Sequence, residues 1–241
     1  MRASTNSMQR IRWVNGRFVR TADRVAVVTF SSGRYLGVEQ KLVSSLQRWS
    51  PDVDVLVFHD PAELGSPPHA QNPYAFKVYA IQKARSLGYT TILWCDSCLR
   101  NVRPLDALLR TIQSAGIYFQ KDGFMCGQWA NDRALKYFGV SRDDAMQIST
   151  IYACFMAFDF KTPIARAFFD RWKQSCEDGI FVGRWTNTEQ TESQDSRCTG
   201  HRHDQTCAEL VAHALQIPLH PKVYSYDPSD STRFFTGWDK P

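Results

Sequence analysis

The stretch FKVYAIQKARSLGYTTILWCDSCLRNVRPLDALL, residues 76–109, predicts a helix, a buried strand and a second helix in succession. Apolar residues at helical spacing run over residues 74–87, and Gly88 follows them as a natural helix C-cap. The apolar run from Thr90 to Asp96 predicts a buried strand that ends on a carboxylate. Pro104 begins the second helix, because proline is favoured in a first helical turn. Together these elements predict one unit of an α/β sheet.

The same alternation continues on both sides of this stretch. Further buried strands are predicted at 24–32, 53–60, 116–122 and 150–160, and further helices at 39–49, 131–138, 163–176 and 204–215. Strands that alternate with helices predict a single α/β/α sandwich with a mainly parallel, Rossmann-like sheet. We expect this domain to span residues 24–241, with residues 1–23 as an N-terminal extension. Residues 61–73 and the polar stretch 182–200 are predicted loops, and the second is expected to bury little and to be mobile without ligand.

Composition and charge narrow the class of partner. The chain has 241 residues, of which 43% are hydrophobic and 22% charged, an ordinary globular balance. The net charge of +5 comes without a dense Lys/Arg run, which argues against a nucleic-acid partner. No stretch approaches the ~18 apolar residues of a membrane span, and the N-terminus lacks the apolar core of a signal peptide. The seven cysteines, an odd number, predict reduced thiols in a cytoplasmic protein.

Ligands of open α/β sheets bind beyond the carboxyl ends of the strands. The polar or aromatic residues at the predicted strand ends include Phe30, Ser31, Asp60, Asp96 and Asp122. No G-x-G-x-x-G follows the first strand, and the sequence has neither a P-loop nor a G-x-S-x-G motif. These absences argue against a dinucleotide-binding enzyme, a P-loop nucleotidase and an α/β-hydrolase.

Three segments, taken in order, resemble the GT-A-type nucleotide-sugar-dependent glycosyltransferases. In those enzymes a helix with Lys or Arg near its start leads to a strand that ends in D-x-D, and a P-L helix follows; here that slot is Asp96-Ser97-Cys98. Asp204-Gln205, in HRHDQTCAELVAHAL, is similar to the carboxylate that begins a late helix in several of these families and is often followed by Gln. The tail FFTGWDKP, residues 234–241, is similar to the H-F-x-G-x-x-K-P segment of the glycogenin-like retaining transferases.

The sequence departs from that family pattern at two metal-binding positions. Cys98 stands where the family has the carboxylate that binds manganese, and Phe234 stands where it has a histidine. Manganese and magnesium prefer oxygen ligands, and thiolate is a poor substitute. A divalent cation bound through Asp96 and other ligands is one interpretation. We favour the other, a metal-independent enzyme whose diphosphate is neutralised by cations such as Lys77, Arg100, Arg103 or Lys240.

The resemblance also implies roles for individual residues. Asp96 and Asp204 are the candidate catalytic carboxylates, and the helix N-terminus at Asp204 is expected to lower the pKa of this side chain. The candidate donor-binding residues are Phe30, Ser31, Asp60, Lys77, Asp96, Ser97, Cys98, His201 and His203. The candidate acceptor-binding residues are Trp129, Asp122 and Gln205.

Each of these residues also has a plainer interpretation. Asp60, Asp96 and Asp204 could cap turns or helices, and Lys77 could be a solvated surface residue. Four possible zinc ligands lie within ten residues, but their spacing matches no common zinc finger, so a polar loop before a buried helix is the favoured interpretation. These four are Cys198, His201, His203 and Cys207.

The sequence therefore predicts a transferase that moves a hexosyl or pentosyl group from a nucleoside-diphosphate sugar, such as a UDP-sugar, to a hydroxyl of a glycan, protein or small molecule. The glycogenin-like tail favours retention of anomeric configuration. A catalytically inactive nucleotide-sugar or glycan-binding module is the first alternative, motivated by Cys98 and Phe234. A sugar nucleotidyltransferase is the second, although the loop from Ser31 to Tyr35 is poor in the glycine that this class usually carries.

Overall fold

Strands and helices alternate along the chain, as the apolar runs predicted. The computed structural model describes residues 10–11, 24–225, 227, 230 and 232–237. The described strands are β1 (Arg10–Ile11), β2 (Val25–Phe30), β3 (Asp54–Phe58), β4 (Thr91–Cys95), β5 (Leu99–Asn101), β6 (Ile117–Met125), β7 (Ser149–Asp159), β8 (Tyr224–Ser225) and β9 (Phe235–Gly237). The described helices are α1 (Glu39–Trp49), α2 (Pro61–Leu64), α3 (Ala75–Ser86), α4 (Asp106–Ala115), α5 (Cys126–Trp129), α6 (Asp132–Phe138), α7 (Arg142–Ala145), α8 (Pro163–Glu177) and α9 (Asp204–Ala214).

The main sheet has the strand order β1-β3-β2-β4-β7-β6. Its middle strands β3, β2 and β4 are parallel, so that Val28 pairs with Leu56 on one side and with Trp94 on the other. Strands β7 and β6 continue the sheet in antiparallel register, and β1 pairs antiparallel with β3. The carboxyl ends of β2, β3, β4 and β6 therefore lie along one edge. A second sheet of order β5-β9-β8 lies after the end of β4 in the chain.

Two apolar cores, one on each face of the main sheet, complete the sandwich. Successive residues of β2 point to opposite faces, with Val27 in one core and Val28 in the other. Helices α3, α8 and α9 cover the Val28 face, whereas α1 and α4 cover the Val27 face. The predicted α/β/α sandwich is thus confirmed.

Two predicted loops contain more structure than their composition indicated. The loop 61–73 begins with the short helix α2. The polar stretch 182–200 is organised by the Asn187 side chain, which donates to the Ser193 carbonyl and accepts from the Glu192 amide. Gly200 lies so close to the Trp185 backbone that a Cβ at this position would collide with it. The stretch is therefore anchored along its length, whereas its mobility stays a prediction.

The predicted N-terminal extension lies almost wholly outside the described residues, apart from β1. Of the tail similar to the glycogenin-like segment, residues 234–237 are described, and Lys240 is not among the described residues. None of the helices that the structure describes is both long and apolar enough to span a membrane.

Candidate active site at the strand ends

A single buried lysine joins the two carboxylates that the sequence analysis selected. Lys77 lies in the first turn of α3 and its side chain is only 4% exposed. Its Nζ atom lies 2.9 Å from Oδ2 of Asp204 and 3.5 Å from Oδ1 of Asp96. It also donates a hydrogen bond of 2.9 Å to the carbonyl of Ala153. An isolated ammonium at this depth would cost several kcal/mol, so these partners are what allow Lys77 to be buried.

Asp96 is the member of this cluster that faces solvent. It directly follows β4, and its backbone amide donates to the Cys154 carbonyl of β7 at 2.8 Å. The indole of Trp94 donates to Oδ1 of Asp96 at 2.8 Å, on the same oxygen that approaches Lys77. The side chain is nevertheless 34% exposed. The arrangement fixes a carboxylate in one orientation at the open edge of the sheet.

Asp204, the first residue of α9, is buried on the other side of Lys77. Burial raises the pKa of this carboxyl, and the neighbouring Lys77 ammonium opposes that effect. The expected lowering of the Asp204 pKa by the helix N-terminus is therefore wrong, because desolvation outweighs it. Burial also disfavours the charged form of Lys77, but Asp204 and Asp96 together raise the pKa of Lys77 above its ordinary value. The cluster thus holds a lysine ammonium between two carboxyl groups.

Two non-glycine residues with a positive backbone φ border the cluster. Tyr74, just before α3, has φ = 61°, and His203, just before Asp204, has φ = 52°. Their rings lie 5.6 Å apart, and the Tyr74 ring centre is 5.3 Å from Nζ of Lys77. Burial and the nearby Asp204 raise the pKa of Tyr74 to about 12. Non-glycine residues with positive φ are uncommon and cluster at functional sites. Nothing in the local sequence pattern around Tyr74 signals this conformation, so Tyr74 was not among the predicted site residues.

His201 and His203 are buried and bonded to the backbone. His201 Nε2 lies 3.0 Å from the Ile180 carbonyl, and His203 Nδ1 lies 2.9 Å from the Phe181 carbonyl. Burial lowers the pKa of His201 to about 3 and that of His203 to about 4. Near pH 7 both imidazoles are therefore neutral, and Nδ1 of His201 accepts a further hydrogen bond from the Asn131 amide at 3.4 Å.

The remaining donor-site candidates occupy the ends of β2, β3 and β4. Phe30 is buried and stacks on Phe76 with ring centres 4.3 Å apart. Ser31 is buried and donates to Glu39 at 2.6 Å. Asp60 is exposed and accepts from the Ala62 amide at 2.9 Å, which is the plain helix-capping interpretation. Ser97 is buried and Cys98 partly exposed.

The acceptor-site candidates lie around two residues that the sequence analysis did not select, Arg202 and Glu209. The Arg202 guanidinium carbon lies 3.8 Å from the Trp129 ring centre. Gln205 donates to Oε1 of Glu209 at 3.0 Å, and the charge of Asp122 acts on both Arg202 and Glu209. Glu209 also accepts from the Ile151 amide at 3.1 Å, and burial raises its pKa to about 8. An acidic residue inside the apolar helix segment TCAELVAHAL was the signal that could have found Glu209.

The C-terminal segment returns to the strand that follows Asp96. Strand β9 pairs with β5, so that Arg100 lies opposite Thr236. The Asn101 side chain donates to the Phe234 carbonyl at 2.9 Å, and the Arg103 guanidinium carbon lies 4.7 Å from the Phe234 ring centre. The tail is therefore held beside the segment Asp96-Ser97-Cys98.

The donor set does not fit a manganese or magnesium ion. Such ions need several oxygen ligands, but Oδ1 of Asp96 is already approached by Trp94 and Lys77. Cys98, two residues after Asp96 in the D-x-D slot, supplies sulfur in place of a carboxylate oxygen. Among the described residues, no group of three or more His, Cys, Asp or Glu side chains is arranged to hold a metal ion. This applies equally to the segment from Cys198 to Cys207 that could have held zinc.

Known proteins resemble this chain in fold rather than in sequence. No protein-family model and no curated protein matches the sequence. The bifunctional glycosyltransferase WbbM, in its apo form, is similar over 92% of this chain and 47% of its own, with a TM-score of 0.54 and 12% identity. Mouse xyloside xylosyltransferase 1, also in its apo form, is similar over 90% of this chain and 98% of its own, with a TM-score of 0.50 and 11% identity.

The galactosyltransferase LgtC, in complex with donor and acceptor sugar analogs, also matches, with a TM-score of 0.46 and 9% identity over 90% of this chain and 88% of its own. The chain spans about half the length of WbbM, the first of these structures, and nearly the full length of the mouse enzyme. At these identities the likeness concerns the fold. The sheet order agrees with the likeness to WbbM and the mouse enzyme: the chain has the fold of the GT-A-type glycosyltransferases.

Proposed function

We propose that this chain transfers a glycosyl group from a nucleoside-diphosphate sugar to a hydroxyl acceptor. The observation that carries the proposal is the cluster of Asp96, Lys77 and Asp204 at the carboxyl edge of the parallel strands. That edge is where ligands of open α/β sheets bind. The similar solved structures include enzymes described as a bifunctional glycosyltransferase and a xyloside xylosyltransferase. The site is compatible with either a hexosyl or a pentosyl donor. It is also compatible with either a glycan or a glycoprotein as the acceptor.

Transfer breaks the bond between the anomeric carbon and the diphosphate, which leaves as the nucleoside diphosphate, and forms one to the acceptor oxygen, whose proton is released. Asp96, with a third of its side chain exposed, is the carboxylate that a bound donor can reach. Asp204 is 4% exposed and acts on the site through Lys77, whose ammonium it shares with Asp96. Developing charge in the transition state is stabilised most strongly by groups that are already fixed in place. The hydrogen bonds from Trp94 and to Ala153 supply that fixation.

We further propose that the reaction does not depend on a divalent cation. This follows from the poor fit of Asp96 and Cys98 to a hard metal ion. We expect transfer activity to persist when the protein is dialysed against EDTA. The control is a manganese-dependent transferase treated in parallel. Complete loss of activity with EDTA and its recovery with manganese would show that the ligand set includes residues outside this cluster.

Donor binding gives the first test of the proposal. Titration calorimetry with UDP, GDP and their sugars should find at least one nucleotide that binds. A thermal-shift experiment should agree, because a ligand at 100 times its Kd stabilises the folded protein by about 2.7 kcal/mol. A protein that binds none of these compounds does not use a UDP-sugar or a GDP-sugar as its donor.

A catalytically inactive module that only binds nucleotide sugars is the second candidate. Cys98 and Phe234 favour it, because both replace metal ligands of the family that the sequence resembles. The two candidates separate on one measurement, the slow hydrolysis of a bound donor sugar. Hydrolysis by the wild-type protein but not by the Asp96→Asn variant supports the enzyme, whereas tight binding without hydrolysis or transfer supports the module.

A further inference from the structure

The Arg202 guanidinium lies between two indole rings near the candidate active site. Its central carbon is 3.8 Å from the ring centre of Trp129 and 4.9 Å from that of Trp185. The backbone holds this arrangement, since the Arg202 amide donates to the Trp129 carbonyl at 3.0 Å and the Thr206 hydroxyl donates to the same carbonyl. The backbone that carries the two stacked side chains is therefore held in place.

Two buried donors in this arrangement have no acceptor. Within the described part of the chain, neither Nε of Arg202 nor Nε1 of Trp129 has a hydrogen-bond partner. Buried polar groups in folded proteins are almost always paired, and each exception calls for an explanation. Both nitrogen atoms are closed to solvent in this structure, so a ligand oxygen can pair with them only if the side chains around them move.

The charge of Arg202 also needs a partner. Burial lowers the pKa of Arg202, which shows that its cation is poorly hydrated, while Asp122 and Glu209 oppose this shift. Glu209 has a pKa of about 8 and is therefore mostly uncharged near pH 7. Asp122 lines an open cleft together with Lys121 and Lys222. The surroundings of Arg202 are thus short of negative charge.

A continuous row of aromatic rings connects Arg202 with the carboxylate cluster. Trp185, 46% exposed, lies 5.1 Å from the His203 ring, and His203 lies 5.6 Å from Tyr74, which contacts Lys77. Arg202 precedes Asp204 by two residues in the chain. Exposed indole surface beside a stacked cation is suited to a sugar ring that carries an acidic group.

We propose that Arg202, held between Trp129 and Trp185, binds the carboxylate of an acidic sugar residue. Guanidinium and carboxylate groups match in a two-bond geometry, and the indole N–H adds a third donor. The acidic residue could belong to the donor or to the acceptor, and the basic cleft beside Asp122 could hold further acidic residues of an acceptor chain. That the bound sugar reacts rests on the proposed function, whereas its binding does not.

Binding measured by titration calorimetry tests the proposal in two arms. The acceptor arm compares an oligosaccharide that ends in glucuronic acid with the same oligosaccharide after reduction of its carboxyl groups. The donor arm compares UDP-glucuronic acid with UDP-glucose. We expect the acidic compound to bind about tenfold or more tightly in one arm, since a hydrogen-bonded charge pair contributes on this scale. The arm that shows the preference identifies the source of the acidic sugar.

Variants test whether Arg202 causes the tighter binding of the acidic compound. Arg202→Gln should abolish it, while Arg184→Gln, which removes an exposed arginine paired with Glu189, should retain it. Trp129→Phe keeps an aromatic ring without the N–H group and should reduce the preference by about threefold to tenfold. Circular dichroism melting checks that each variant folds, and Trp129→Phe decides the matter if Arg202→Gln does not.

Three results would overturn the proposal: no preference in either arm, a preference that survives in Arg202→Gln, or an equal loss of affinity for both UDP-sugars in that variant. The last result would assign Arg202 to the diphosphate. If wild-type protein binds no UDP compound at all, a UDP-sugar is not the donor. The acceptor arm can still be scored in that case, because it contains no nucleotide.

Discussion

The ends of β3 and β4 share one local sequence pattern, but the aspartates that follow the two strands have different contacts. Both strands are apolar, both belong to the parallel part of the sheet, and each is followed within two residues by an aspartate, Asp60 or Asp96. Asp60 is exposed and caps the short helix α2 through the Ala62 amide. Asp96 instead accepts from Trp94 and contacts a lysine that is buried beneath it.

Position in the sheet accounts for this difference. Strand β3 is next to the edge of the described sheet, with only β1 beyond it. Strand β4 pairs with β7, and the helix α9 packs against β7 and brings Asp204 to the other side of Lys77. A carboxylate at the end of a strand therefore becomes part of a site only where later segments of the chain supply its partners.

The largest effect that separates the two regions is expected from Lys77→Met. The change leaves Asp204 buried without its cation, and breaking a buried ion pair costs about 3–5 kcal/mol of unfolding free energy. Urea unfolding measures this loss. Lys83→Met, on the same helix at a partly exposed position, is the matched control and should change stability by no more than about 0.5 kcal/mol.

A double variant sharpens this experiment. Lys77→Met with Asp204→Leu removes both charges, and apolar replacements of a buried ion pair are often tolerated. The double variant should therefore be more stable than Lys77→Met alone. Equal stability of the Lys77→Met and Lys83→Met proteins would mean that the β4 end does not depend on a buried partner.

Acid should destabilise the protein through His201 and His203, the two buried histidines that precede Asp204. His201 and His203 have folded pKa values of about 3 and about 4, below the ordinary value of 6.5. The unfolded chain therefore takes up protons first as the pH falls below about 6.5, and stability decreases down to the folded pKa values. Each histidine contributes about 1.4 kcal/mol per pH unit within this window, whereas Glu209, whose folded pKa is about 8, contributes a change of opposite sign there.

Urea unfolding between pH 7 and pH 5 measures that slope. His201→Asn removes one of the two titrating groups and should make the dependence on pH shallower. His213→Asn replaces an exposed histidine of α9 and is the control for the loss of an imidazole as such. An identical slope in all three proteins would refute the assignment to His201.

The smallest effect is expected at the β3 end. Asp60→Ala removes a helix-capping carboxylate and should cost about 1 kcal/mol or less, whereas Asp60→Asn should be within a few tenths of wild type. Thermal unfolding measures both. A loss of several kcal/mol from either variant would show that Asp60 has a buried partner and that the two strand ends are alike.

Local patterns predicted most of the elements well. Helix α1 begins at Glu39 and ends at Trp49, as the spacing of Leu42, Val43 and Leu46 indicated. Asn131 caps α6 through the Ala134 amide, and Gly139 ends it with φ = 67°, because only this backbone conformation closes the helix at that point. Such features depend on neighbours a few residues apart, which the sequence displays directly.

The site was predicted only in part, because its contacts join distant segments. The order of the motifs selected Asp96, Lys77 and Asp204, but it did not show that one buried ammonium holds both carboxylates. Nor did spacing show that His201 and His203 donate to backbone carbonyls in the interior, or that Arg202 lies between two indoles. Burial and partners of this kind follow from the packing of α9 and of the stretch 182–200, and no local pattern contains them.

Comparison of Asp96→Asn with Asp60→Asn tests the central claim most directly. Both variants keep the size of the side chain and its ability to accept a hydrogen bond, and both remove one charge at the end of a parallel strand. With a donor sugar that the wild-type protein binds, the rate of transfer or donor hydrolysis should fall by about 100-fold in Asp96→Asn, which corresponds to about 2.7 kcal/mol, and should be unchanged in Asp60→Asn. Equal rates in wild type and Asp96→Asn would contradict the assignment of the active site to the end of β4.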